Sequence, residues 1–145
     1  MSTEPRPASR LPVGPLVASI GAVLLIVSLF LDWYDQITGF TVFEFVDLVL
    51  VMLALATIAS LVGGLGLVRA APSPGVSLGV AIFTVLVVAS QVVNDPPAVA
   101  GEAGPGKDIG IWLALAGAGL MVVGAVLAYA RISLAVETRR RPDEP

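Results

Sequence analysis

Four long apolar runs, separated by short polar intervals, organise this chain. They cover residues 11–31, 43–68, 74–94 and 109–130, and each holds few charges or none. A helix rising about 1.5 Å per residue needs roughly 20 apolar residues to cross the hydrocarbon core of a bilayer, and each run reaches that length. Backbone groups in lipid must bond within their own segment, so the runs predict helices rather than open strands. The expected architecture is all-α: an integral membrane four-helix bundle, antiparallel, up-down-up-down. Residues 1–10 predict a disordered cytoplasmic N-terminus, 11–138 the transmembrane domain with its last helix extended into the cytoplasm, and 139–145 a charged C-terminal tail.

Composition supports the same picture. Of 145 residues, 57% are hydrophobic and only 13% charged. A soluble domain this small could not enclose so much apolar surface. The chain has no Cys and no His, which excludes disulfides, thiol nucleophiles, His-based acid–base catalysis and zinc held by nitrogen or sulfur. No basic face interleaved with aromatics is present, so nucleic acid is not an expected partner.

Charge placement sets a direction. Four spans put the N-terminus, the middle loop and the C-terminus on one side. That side holds seven basic residues, Arg6, Arg10, Arg69, Arg131, Arg139, Arg140 and Arg141, against Lys107 alone on the other. Basic residues stay cytoplasmic, so both termini are predicted inside, with Arg69, Arg131 and Arg139–Arg141 setting the topology. The first span ends in "FLDWYD" without a small-residue cleavage site, which predicts an uncleaved helix rather than a secretory signal. Trp33 and Tyr34 at the outer end of span one, Trp112 at the outer end of span four and Tyr129 at its inner end are expected to anchor in the headgroup layers.

The segment "GFTVFEF" carries a helix-start pattern, with Thr41 as N-cap, Glu44 three residues on, and Phe40 and Phe45 placed as a hydrophobic staple. Asp47 then lies about 9 Å along the second helix. It is the candidate functional acid within the membrane, since such acids mark functional sites by default. Two placements stay open: toward the bundle interior, or toward headgroups and water. The other acids of this side, including Asp32, Asp35 and Glu44, read as a solvated rim.

Small residues predict where helices meet, because close backbone approach drives association in lipid. Span one offers Gly14, Ala18, Gly21 and Ser28, and span four offers Gly110, Ala114, Gly117, Gly124 and Ala128. Weaker patterns are Ala56-x-x-x-Ser60-x-x-x-Gly64 and Gly75-x-x-x-Gly79. In the inner loop, Ser73 is placed as an N-cap with Pro74 at the first helical position, making spans two and three antiparallel neighbours.

The stretch "SLFLDWYDQITGFTVFEFVD" resembles small four-span membrane proteins of actinobacterial type whose function is unknown. That resemblance implies a bacterial plasma membrane and no particular activity. The expected role is a non-enzymatic accessory or structural subunit that binds other membrane components. A small ion or solute transporter or channel subunit acting as an oligomer is the alternative, and a membrane enzyme using outer-face carboxylates comes last. Expected partners are the lipid bilayer and either another membrane protein or a second copy; no cofactor, metal site or catalytic residue is expected.

Overall fold

The computed structural model describes residues 13–34, 37–42, 45–65, 72–94 and 106–139. Within them the chain forms α1 (Val13–Leu29), β1 (Asp32–Tyr34), β2 (Ile37–Thr38), α2 (Gly39–Val42), α3 (Val46–Gly64), α4 (Pro74–Val93) and α5 (Ile109–Arg139). The protein is thus all-helical apart from one small ribbon. Three segments, Val46–Gly64, Pro74–Val93 and Ile109–Ala130, are long and apolar enough to cross a membrane, and α1 is a shorter apolar helix of 17 residues. Length and composition together mark a membrane protein.

α1 lies against α3 and α5, and α4 lies against α5 and α3, so the long helices form a ring. The α1–α5 seam is the most extensive contact, and it is built on glycine. A Cβ on Gly14 would sit 2.6 Å from the Ala128 nitrogen, and one on Gly124 would sit 2.6 Å from the Gly14 carbonyl oxygen. Backbone therefore meets backbone, which only residues without a side chain permit. The pairing of Gly14 with Gly124 and of Gly21 with Gly117 runs the two helices antiparallel. In lipid this contact gains little from moving apolar groups out of water, so close packing holds the seam.

The expected small-residue faces of the first and last helices are the ones that pack. Gly75-x-x-x-Gly79 is not: a Cβ at either position would meet nothing within 4 Å. Along α4 the buried positions are instead Ala81, Thr84 and Val88. The α3–α4 seam is the least extensive of the ring, although only residues 65–73 separate the two helices in sequence. Ser73 does cap α4, accepting from the Val76 N–H at 3.4 Å, and Pro74 opens the helix as expected.

The first connection differs from the expected solvated turn. α1 tightens in its last turn, where Phe30 and Leu31 donate to the carbonyls of Val27 and Ser28, both at 3.1 Å. The chain then enters an antiparallel ribbon in which Asp32 pairs with Thr38 and Tyr34 with Ile37. Lys107 bridges Tyr34 from the other side, and the Asp108 N–H donates to the Trp33 carbonyl at 3.0 Å. The ribbon thereby fastens the start of α5 to the end of α1.

The helix start expected at Thr41 is also corrected. Residues Gly39–Val42 form a separate single turn, and α3 begins at Val46 with Phe45 as its N-cap and no side-chain cap. Phe40 is used elsewhere: its ring packs edge-on against Phe30, centroids 4.9 Å apart. Glu44 lies outside the described residues, as do Asp35, Arg69, Arg140, Arg141 and residues 1–10. Arg131 and Arg139 lie on the last part of α5, which continues as one helix of 31 residues.

Candidate functional site

α3 turns four residues inward at alternating spacings of three and four: Asp47, Leu50, Ala54 and Thr57. That spacing is one face of a helix. Asp47 therefore faces the bundle interior, where it is only 3% exposed. Because α3 starts at Val46, Asp47 falls in the first turn rather than about 9 Å along the helix. The positive end of the helix dipole favours an acid there by about 0.3–1 kcal/mol.

Neither carboxylate oxygen of Asp47 has a hydrogen-bond partner among the described residues. Ser19 Oγ on α1 is the other buried side-chain atom without a partner there. A carboxylate enclosed in apolar surroundings requires a donor, a cation or a proton, and the helix dipole supplies only part of that. From Asp47 toward Thr57, about 15 Å along the axis, the inward face is Leu50 and Ala54, both fully buried. Along α3 the acid is therefore separated from the polar groups further on.

Those polar groups belong to a cavity of about 410 Å³ in the other half of the bundle. α1 contributes Gly14, Pro15 and Ala18, α3 contributes Thr57, Ser60 and Gly64, Pro72 precedes α4, and Pro74 and Ser77 come from its start. Met121, Gly124, Ala125 and Ala128 of α5 complete the wall. The first half of α1 and of α4 thus lies beside the last half of α3 and of α5, as up-down-up-down topology requires. The Ser60 and Ser77 hydroxyls meet at 3.2 Å across the α3–α4 seam, and a void of about 40 Å³ lies on the same seam. No ionisable side chain lines the cavity among the described residues.

The aromatic residues divide into two kinds. Trp33 and Tyr34, expected as headgroup anchors, are 0% exposed and enclosed by protein. Trp33 Nε1 donates to the Ser28 carbonyl at 2.8 Å, a second hydrogen bond to an oxygen that the Leu31 N–H already reaches at 3.1 Å. Gly110 makes room for this ring, since a Cβ there would sit 2.6 Å from Trp33 Cδ1. The Tyr34 hydroxyl donates to the Gln91 carbonyl near the end of α4. An aromatic ring can be amphipathic and still be taken inside when its polar atom finds a backbone carbonyl. Trp112 and Tyr129 are 53% and 50% exposed, at opposite ends of the apolar part of α5.

Asp32 and Asp108 are the acids of the α1–α3 and α4–α5 connections that fall among the described residues, and no three potential metal ligands converge there. The cavity was not foreseen. Its only trace in the sequence is the pattern of Ala56, Ser60 and Gly64 together with Pro72 and Pro74 before and at the start of α4. No protein-family model, no curated protein and no solved structure matches the chain.

Proposed function

We propose that the chain is a four-span protein of a bacterial plasma membrane, with both termini cytoplasmic, acting without catalysis as an accessory or structural subunit that binds other membrane components. One observation carries this reading: Leu50 and Ala54 interrupt the inward face of α3 between Asp47 and Thr57, so this face offers no continuous polar route. A conduit needs such a route through the bundle. The fixed α1–α5 seam supports a scaffold, while α3 and α4 present broad apolar faces through Met52, Leu55, Phe83 and Leu86. The inside orientation rests on seven arginines against Lys107.

One observation favours the second reading, an oligomeric transporter or channel subunit: Asp47 is buried with both oxygens lacking a partner among the described residues. The two readings part on purification of the full chain in mild detergent or polymer nanodiscs, followed by native mass determination. A membrane protein held at fixed stoichiometry, whose own assembly fails when this chain is deleted, supports the accessory role. A homogeneous self-oligomer with proton or cation flux that Asp47→Asn abolishes overturns it.

A further inference from the structure

We infer that the cavity between the long helices binds a neutral lipid alcohol: a hydrocarbon chain ending in a hydrogen-bond donor. This deepens the reading of the chain as a binder of membrane components and rests on its placement in a membrane. At about 410 Å³, the space falls within the range of ligand sites rather than packing defects. Its wall is alanine, glycine, proline and methionine, and three hydroxyls supply the side-chain polarity.

The state of those hydroxyls selects the ligand. Thr57 Oγ1 already donates to the Leu53 carbonyl at 3.0 Å, and Ser60 Oγ donates to the Ala56 carbonyl at 3.1 Å. With its hydrogen used there, Ser60 can only accept from Ser77 across the 3.2 Å contact. All three hydroxyl hydrogens are thus engaged within the protein, and what they offer a ligand is lone pairs.

Backbone donors are scarce as well. The start of α4 would ordinarily attract an anion. Here Pro74 has no N–H, Val76 donates to Ser73 Oγ at 3.4 Å, and Ser77 donates to the Ser73 carbonyl at 3.0 Å. A phosphate or carboxylate entering the cavity would meet these acceptors and, among the described residues, no cation. A hydroxyl would instead donate to a waiting oxygen while its chain fills the apolar space. The thin α3–α4 seam beside Ser60 and Ser77 is where the bundle is least closed to surrounding lipid.

The test is photolabelling of the full chain in phosphatidylcholine nanodiscs with a diazirine-bearing dodecanol, and separately with the matching dodecanoic acid, with adducts mapped by mass spectrometry. The alcohol is expected to label residues 57–64 and 72–77, with competition by plain dodecanol and about tenfold more efficiently than the acid. Thr57→Val keeps the shape and removes one acceptor, so it should weaken labelling roughly fivefold, the loss of one neutral hydrogen bond. Ser77→Leu, which narrows the cavity, should abolish it. Labelling spread over Met52, Phe83 and Leu86 without competition, equal labelling by the acid, or no response to Thr57→Val overturns the inference. Any of these alongside a stoichiometric protein partner leaves the accessory role standing. A flux-competent self-oligomer that the alcohol still labels removes that role and keeps the site.

Discussion

Gly21 and Gly117 face one another across the α1–α5 seam, each occupying the space the other's side chain would need. A Cβ on Gly117 would sit 2.7 Å from the Gly21 carbonyl oxygen, and a Cβ on Gly21 would collide with the Gly117 carbonyl in turn. The neighbour in each case is backbone, which cannot rotate away. Gly117→Ala should therefore destabilise the bundle by about 1–3 kcal/mol, the cost of overpacking. Gly79→Ala, where a Cβ meets nothing within 4 Å, should be neutral or stabilising by up to about 1 kcal/mol through helix propensity. Denaturant unfolding of the two variants in one detergent measures the contrast; equal behaviour would remove the close seam.

Trp33 and Trp112 should report different surroundings. In single-tryptophan variants, brominated lipid should quench Trp112, which is 53% exposed, and leave Trp33, which is 0% exposed, nearly unchanged. Trp33→Phe should cost about 0.5–1.5 kcal/mol, because the Ser28 carbonyl keeps the Leu31 N–H and loses the indole donor, one of its two hydrogen bonds. Strong quenching of Trp33 by brominated lipid would return it to the headgroup layer.

Tyr34 fastens the end of α4. Tyr34→Phe removes the bond to the Gln91 carbonyl, so amide exchange in the last turn of α4 should accelerate roughly fivefold, the equivalent of about 1 kcal/mol. Exchange in the middle of α4 should not change. A uniform increase along α4 would show that the hydroxyl supports the whole helix rather than its end.

Asp47 gives an inverted expectation. Its carboxylate is buried without a hydrogen-bond partner among the described residues, so Asp47→Leu should stabilise the fold by about 1–3 kcal/mol. Thermal unfolding in detergent checks it. A loss of stability would mean that Asp47 holds a compensating group that the fold requires.

The long helices and the main seam were legible because their signals are local or repetitive. Gly14, Ala18 and Gly21 recur on one face, and so do Gly117, Gly124 and Ala128, while Ser73 before Pro74 is a complete cap within two residues. The facing of α3 was not legible. Its residues are apolar nearly all round, so the interior row of Asp47, Leu50, Ala54 and Thr57 carries no amphipathic contrast. The helix start misled for a different reason: Thr41 and Glu44 match a capping box, but tertiary contacts took Phe40 onto Phe30 and ended the turn at Val42. The ribbon escaped because Asp32–Tyr34 is too short for alternation to register. The buried acid was found and its orientation was not; the cavity, assembled from all four long helices, had no contiguous signature.

The closest seam in the fold joins the first helix to the last, and this bears on how the protein is made. Gly21 and Gly117 are 96 positions apart (117 − 21). At about 5–20 residues per second, the glycine face of α1 emerges from the ribosome about 5–20 s before its partner. During that interval α1, α3 and α4 can form, yet the backbone contacts that define the α1–α5 seam have nothing to close upon. Translation must reach α5 before any of them forms, so a chain interrupted ahead of Ile109 carries three of the long helices and no keystone.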